Sequence, residues 1–118
     1  MLQGIYAVKF ISNGGDFGVG IAIFDNNKIK GGDASYLYEG EYSLKGQAMR
    51  STIVVSHYEG LAESVVGSLE SFTLNVVGQA DFQGFTLEGS VADQPEKTMT
   101  ITGKKVGKDY IQQLQNFF

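Results

Sequence analysis

Apolar and polar residues alternate with period two along much of the chain, the spacing of a strand with one face buried. In Phe85-Thr86-Leu87-Glu88-Gly89-Ser90-Val91 the apolar residues take every second position, and Thr98-Met99-Thr100-Ile101-Thr102 repeats the pattern. Tyr36, Tyr38 and Tyr42 fall on one face together with Gly40, while Phe72, Leu74 and Val76 form another face opposed by Thr73 and Asn75. The alternation predicts eight strands, over Gly4–Ser12, Phe17–Phe24, Lys28–Gly31, Tyr36–Leu44, Gln47–Tyr58, Leu69–Val77, Gln83–Ala92 and Lys97–Val106.

The joints between these strands are short. Asp25-Asn26-Asn27-Lys28 can place asparagines at the positive φ a tight hairpin demands, and Asn13-Gly14-Gly15-Asp16, Lys45-Gly46 and Gln94-Pro95-Glu96 are turn signals of the same kind. Short joints favour antiparallel neighbours, because a parallel crossover needs about a dozen residues or more. A run of such strands either closes or leaves two long edges exposed. The expected fold is all-β: an eight-stranded, antiparallel, up-and-down barrel, calycin- or lipocalin-like, with a two-sheet sandwich as the rival. Two segments depart from the meander. Leu61, Ala62, Val65 and Val66 give Glu59–Ser68 helical spacing, as for a turn of helix capping a barrel mouth. Tyr110, Ile111, Leu114, Phe117 and Phe118 form one helical stripe, which either docks as a short C-terminal helix on the domain or on a second subunit, or belongs to a frayed tail.

The 118 residues suffice for one domain, 1–118, with one core. Sixteen glycines against one proline suit strands joined by tight turns. The absence of cysteine removes disulfides and thiolate metal sites and fits a reducing, cytoplasmic setting. The N-terminal residues lack the pattern of a signal peptide, and no run nears the roughly 18 apolar residues of a membrane-spanning helix. A formal charge of −4 argues against a grip on phosphate backbones, so direct nucleic-acid binding is not expected.

The inventory for catalysis is thin. His57, the only histidine, is adjacent to Ser56 on a predicted strand, where sequence neighbours point to opposite faces and a nucleophile–base pair cannot form. One histidine and no cysteine leave no zinc set, and Asp16, Asp25 and Asp33 read as solvated turn aspartates. Gly31-Gly32-Asp33 precedes a strand, whereas a phosphate loop must open a helix. Catalytic, metal and cofactor sites are therefore all expected to be absent. Glu39 and Glu41 share a strand face with Cβ atoms about 7 Å apart, a separation compatible with an acid–base pair. They alternate with the tyrosines, so the better reading turns them to solvent as an acidic stripe. Interior positions fall to Tyr36, Tyr38, Tyr42, Phe72, Leu74, Phe85 and Leu87, as core or as the lining of a cavity.

Gly4-Ile5-Tyr6, Phe10-Ile11-Ser12-Asn13, Gly18-Val19-Gly20-Ile21, Ile29-Lys30-Gly31-Gly32-Asp33, Tyr38-Glu39-Gly40 and His57-Tyr58 occur in an order and at distances that resemble the GrlR-like family. These are small bacterial proteins named for a negative regulator of type III secretion genes. The resemblance covers roughly the first half of the chain. It implies a calycin-like barrel, a homodimer, and a non-enzymatic regulator that sequesters a basic helix-turn-helix transcriptional activator. It also implies an apolar cavity able to take a lipid or other small hydrophobic molecule. The founding member bears an acidic run in the turn after its Tyr-x-Gly strand. Here that turn is Leu44-Lys45-Gly46-Gln47, without an acid, and Glu39 and Glu41 are the nearest substitute for a protein-binding surface.

Overall fold

The computed structural model describes residues 2–15, 17–57 and 71–106. Eight strands follow one another: β1 (Gly4–Ser12), β2 (Phe17–Asp25), β3 (Lys28–Gly32), β4 (Tyr36–Lys45), β5 (Ala48–His57), β6 (Ser71–Asp81), β7 (Gly84–Val91) and β8 (Gln94–Lys105). Each pairs antiparallel with its neighbour in the chain, and β8 returns to β1 from Tyr6↔Lys105 to Ser12↔Met99, closing the barrel. No strand among the described residues is left with an unpaired side, which decides between barrel and sandwich. Asp16, the Glu59–Ser68 connection and the C-terminal stripe from Lys108 onward lie outside the described residues.

The turns work as their residues suggest. Asn26 and Asn27 take φ of 52° and 65° between the paired Asp25 and Lys28, the left-handed geometry of a two-residue hairpin. Gly46, at φ 64°, opens the two-residue link from β4 to β5. One turn differs from expectation. Ala92 and Asp93, not Gln94–Glu96, join β7 to β8, and Pro95 lies in the first residues of β8. The ladder shifts register at Ser90/Val91, so Pro95 occupies a stretch where an amide donor is not required. Asn13, just past the end of the neighbouring strand β1, secures this irregular stretch. Its backbone N–H donates to the Thr98 carbonyl (3.0 Å), its Nδ2 donates to the Glu96 carbonyl (3.0 Å), and its Oδ1 accepts from the Thr98 N–H (3.3 Å).

The inward positions of the strands divide the interior into two halves. At the end where β1 begins, Leu2, Tyr6, Phe24, Tyr42, Met49, Val76 and Phe85 are all buried. Four rings meet there, with centroids 5.1 Å apart for Tyr6–Phe24, 5.5 Å for Tyr6–Phe85, 5.4 Å for Phe24–Phe85 and 5.2 Å for Phe24–Tyr42. Each such pair adds about 0.5–1.5 kcal/mol beyond the area it buries. Phe85 lies against Gly103, where any Cβ would strike its ring. Glycine on an inward face is here the seat of an aromatic ring. At the other end Phe10, Tyr36, Tyr38, Ile53, Phe72 and Met99 are only partly buried, and they surround open volume.

Candidate ligand cavity

The open volume is about 580 Å³, within the range of small-molecule sites. Phe24 and Phe85 floor it; Val8, Ala22, Val55, Leu74, Leu87 and Ile101 line its middle. Phe10, Tyr36, Tyr38, Phe72 and Met99 ring its upper part. A larger depression of about 900 Å³ lies at the opposite end among Gln47, Gln79, Asp81, Gln83, Lys104 and Lys105. Ala80, Phe82, Phe85 and Val106 also line it, but it is more open to solvent than the interior cavity, which is therefore the better candidate.

Two glycines of β2 shape the upper wall. A Cβ on Gly18 would meet the Phe10 ring at 2.5 Å, and one on Gly20 would meet the Tyr38 hydroxyl at 2.8 Å. The rings of β1 and β4 lean over these bare positions. Phe10 and Tyr38 stand edge to face at 6.1 Å, and Tyr36 makes similar contacts with His57 at 5.2 Å and Phe72 at 6.4 Å.

Polar chemistry enters at the β3–β4 turn. Asp33 Oδ1 accepts the backbone N–H groups of Ser35 and Tyr36, both at 2.8 Å, while Asp33 N–H donates to the Tyr36 carbonyl at 2.9 Å. This is an Asx turn, in which a short side chain supplies an acceptor the backbone lacks. The second oxygen, Oδ2, accepts the Tyr38 O–H at 2.5 Å. Burial, and then the hydrogen bond and charge of Asp33, push the Tyr38 phenol far above the ordinary tyrosine range. The phenol keeps its proton and donates it in the hydrogen bond to the aspartate.

Of the seven residues expected inside, Tyr36, Tyr38, Phe72, Leu74, Phe85 and Leu87 line the cavity. Tyr42 lies beneath the floor, where its hydroxyl donates to the Leu2 carbonyl at 2.8 Å. Tyr38 and Tyr42 share a face, but position along the barrel axis separates a wall residue from a core residue. Sequence reasoning does not single out Val8, Ile53, Val55, Met99 or Ile101, which also line the cavity, and it misses Asp33, the charged residue among the described lining. A turn aspartate ahead of a tyrosine-rich strand is the available signal, and it reads the same whether it serves a turn or a site.

Glu39 and Glu41 face outward and are exposed, as expected. They stand opposite Lys30 and Lys28 in the β3–β4 register, and Glu41 Oε2 lies 3.1 Å from Lys28 Nζ. An exposed pair of this kind contributes at most about 1 kcal/mol, but the lysines offset the acidic stripe locally. Ser56 turns its hydroxyl toward Ser71 (3.4 Å) while His57 packs on Tyr36, so the two point apart. Among the described residues no three of His, Cys, Asp and Glu gather as metal ligands, and no helix is long and apolar enough to cross a membrane.

No protein-family model matches the chain, and no curated protein matches it. Among solved structures it is similar to a redesigned β-barrel, at a TM-score of 0.67 and 16% identity, over 89% of this chain and 91% of that one. A likeness at that identity concerns the fold alone: an all-β barrel.

Proposed function

We propose that the protein is a non-catalytic binding barrel whose cavity takes one small apolar molecule. The observation that carries this reading is the contrast inside one closed wall. Aromatic packing fills one half, whereas about 580 Å³ stays open behind a largely apolar lining in the other. An eight-stranded barrel is just wide enough either to be filled by its own side chains or to hold one small ligand. The outward faces carry Lys9, Lys28, Lys30, Glu39, Arg50, Glu88 and Lys104, which would be costly against lipid and suit a barrel surrounded by water. The lack of cysteine fits a cytoplasmic location.

The test is titration with Nile red, a neutral dye whose emission reports an apolar site. Saturable binding is expected, and Ile53→Trp, which fills the cavity from β5, should weaken it at least about tenfold, a loss of roughly 1.4 kcal/mol. Thermal melts of both proteins establish that the variant is folded. A wild-type barrel that takes up no dye would rule the reading out.

A second reading draws on the outer surface. Ile11, Val19, Ile23 and Leu37 are exposed on strands β1, β2 and β4, an apolar band of the kind that marks protein contacts. It favours a regulator that acts by binding protein, as the GrlR-like resemblance implies: a homodimer, or a barrel that sequesters a basic helix-turn-helix activator. Sedimentation of the wild type beside Val19→Lys tests the band. A change in assembly or in partner capture supports this reading, and identical monomers that capture nothing count against it.

A further inference from the structure

We infer that the ligand enters the cavity through the side of the barrel, at a gap between the first half of β2 and the β3–β4 turn, and not along the barrel axis. The inference rests on the cavity reading above and assigns the port that serves it.

The gap begins with a mismatch of strand lengths. β3 has 5 residues, whereas its neighbours β2 and β4 have 9 and 10. The β2–β3 ladder therefore ends at Ile21↔Gly32, and the chain turns through 33–35 to reach β4. The stretch of β2 from Phe17 to Gly20 keeps β1 as its only ladder partner among the described residues. At Gly20 the wall is still shut, since a Cβ there would meet the Gly32 carbonyl at 2.8 Å and the Asp33 Cβ at 3.2 Å. From Val19 to Phe17 the two sides are free to part. A ligand crossing the wall elsewhere would have to break ladder hydrogen bonds, which are costly to leave unmade.

Exposure marks the same place as the mouth. Most residues that line the cavity are buried or half-buried, but four are exposed. Phe17 and Val19 stand on one side of the gap, and Ala34 and Ser35 on the other. Tyr36, Phe72 and Met99, which line the same end of the barrel, are half-buried. Phe17 is 63% exposed and Val19 60%, so two apolar side chains reach both the solvent and the cavity. A single exposed valine is ordinary surface; exposed apolar side chains that also line a cavity form a rim. Ile11, paired with Phe17, and Leu37, paired with Gly32, extend this apolar rim outward on either side. A ligand arriving here sheds its water in stages, first against the rim and then against Phe10 and the lining behind it.

The chain has no cysteine, so one introduced thiol can carry a bulky maleimide-linked polyethylene glycol at a chosen place. Stopped-flow mixing with Nile red then reads association and release. A label on Val19→Cys or Ala34→Cys should slow both rates at least about tenfold and leave Kd within about twofold, because a blocked route raises the barrier without changing either end state. Two other labels should leave the rates as they are. Ser71→Cys carries one beside Phe72 at the same end of the barrel, and Phe82→Cys carries one on the β6–β7 turn at the opposite end. Thermal melts establish that each labelled protein is folded. Unchanged rates with both rim labels would overturn the inference, as would equal slowing by a label at Ser71 or Phe82. Rim labels that speed release and leave association alone would also overturn it, since they disturb the bound dye and not its path. In each of these cases saturable dye binding by the wild type leaves the cavity reading standing. A wild-type protein that binds no Nile red would overturn both.

Discussion

At one end of the barrel Tyr6, Phe24, Tyr42 and Phe85 press ring against ring; at the other, Phe10, Tyr36, Tyr38 and Phe72 stand around a space. Both ends draw aromatic residues from the inward faces of the same barrel wall. The difference lies in what the facing strands contribute. Around the packed end Leu2, Met49, Val76 and Ala80 complete the contacts, so every ring meets side chains across the barrel. Around the open end Gly18 and Gly20 of β2 present no side chain, and the rings of Phe10 and Tyr38 lean onto that wall and leave the centre free. Residue type alone therefore does not decide between core and cavity; the arrangement of small positions opposite the rings does.

The largest effect should come from the packed end. Phe85→Ala should cost about 3–5 kcal/mol in denaturant unfolding, since it removes contacts with two rings and exposes the empty seat at Gly103. Phe72→Ala, at the half-buried rim, should cost clearly less than that and show its effect in dye binding instead. Equal losses at the two sites would erase the distinction between the ends.

Gly20→Ala addresses the open end directly. Its Cβ would meet the Tyr38 hydroxyl and the Gly32 carbonyl, both at 2.8 Å. Overpacking of this kind costs about 1–3 kcal/mol, and the displaced hydroxyl should take ligand affinity with it. A variant with native stability and native dye binding would show that the wall yields more easily than its geometry implies.

Alkaline pH separates the buried phenols from the solvent. Burial raises the Tyr6, Tyr38 and Tyr42 phenols above their ordinary value of about 10. The folded state keeps protons that the unfolded chain releases, so their contribution to stability is complete below about pH 10 and declines as the pH rises beyond it. Denaturant midpoints measured on both sides of that value should fall on the alkaline side, and tyrosinate absorbance should show a class of phenols that titrates only on unfolding.

The smallest effects set two buried hydroxyls against each other. Tyr42→Phe loses the bond to the Leu2 carbonyl and should cost about 1 kcal/mol. The Tyr6 hydroxyl is buried and has no partner among the described residues, so Tyr6→Phe should be neutral or stabilising by up to about 1 kcal/mol. Paired melting curves would show opposite signs.

Most of the architecture is legible in the order of residues. Period-two alternation locates the eight strands to within a few residues, because one face of each is buried and a slip of one residue would turn that face out. The β7–β8 turn is misplaced by that reading because Pro95 carries the same local signal in a turn and beside a bulge. For the cavity, alternation shows which side chains point inward but is silent on whether they meet. Tyr38 and Tyr42 are indistinguishable by pattern; one bonds Asp33 at the cavity wall and the other Leu2 below its floor. Asp33 escapes the same reading because its partner Tyr38 lies across a turn whose shape no spacing rule specifies.

Closure through the β1–β8 ladder also bears on how the protein is made. β1 leaves the ribosome ahead of the other seven strands, yet one of its two hydrogen-bonded partners is the last of the series, with Tyr6 waiting for Lys105. Until β8 emerges, the nascent chain carries two unsatisfied strand edges and an unsealed apolar interior. The final seam has the greatest sequence separation in the fold, so closing it carries the largest loop-closure entropy of any of the pairings. Through that interval the growing chain is most open to edge pairing with its neighbours and to capture by chaperones.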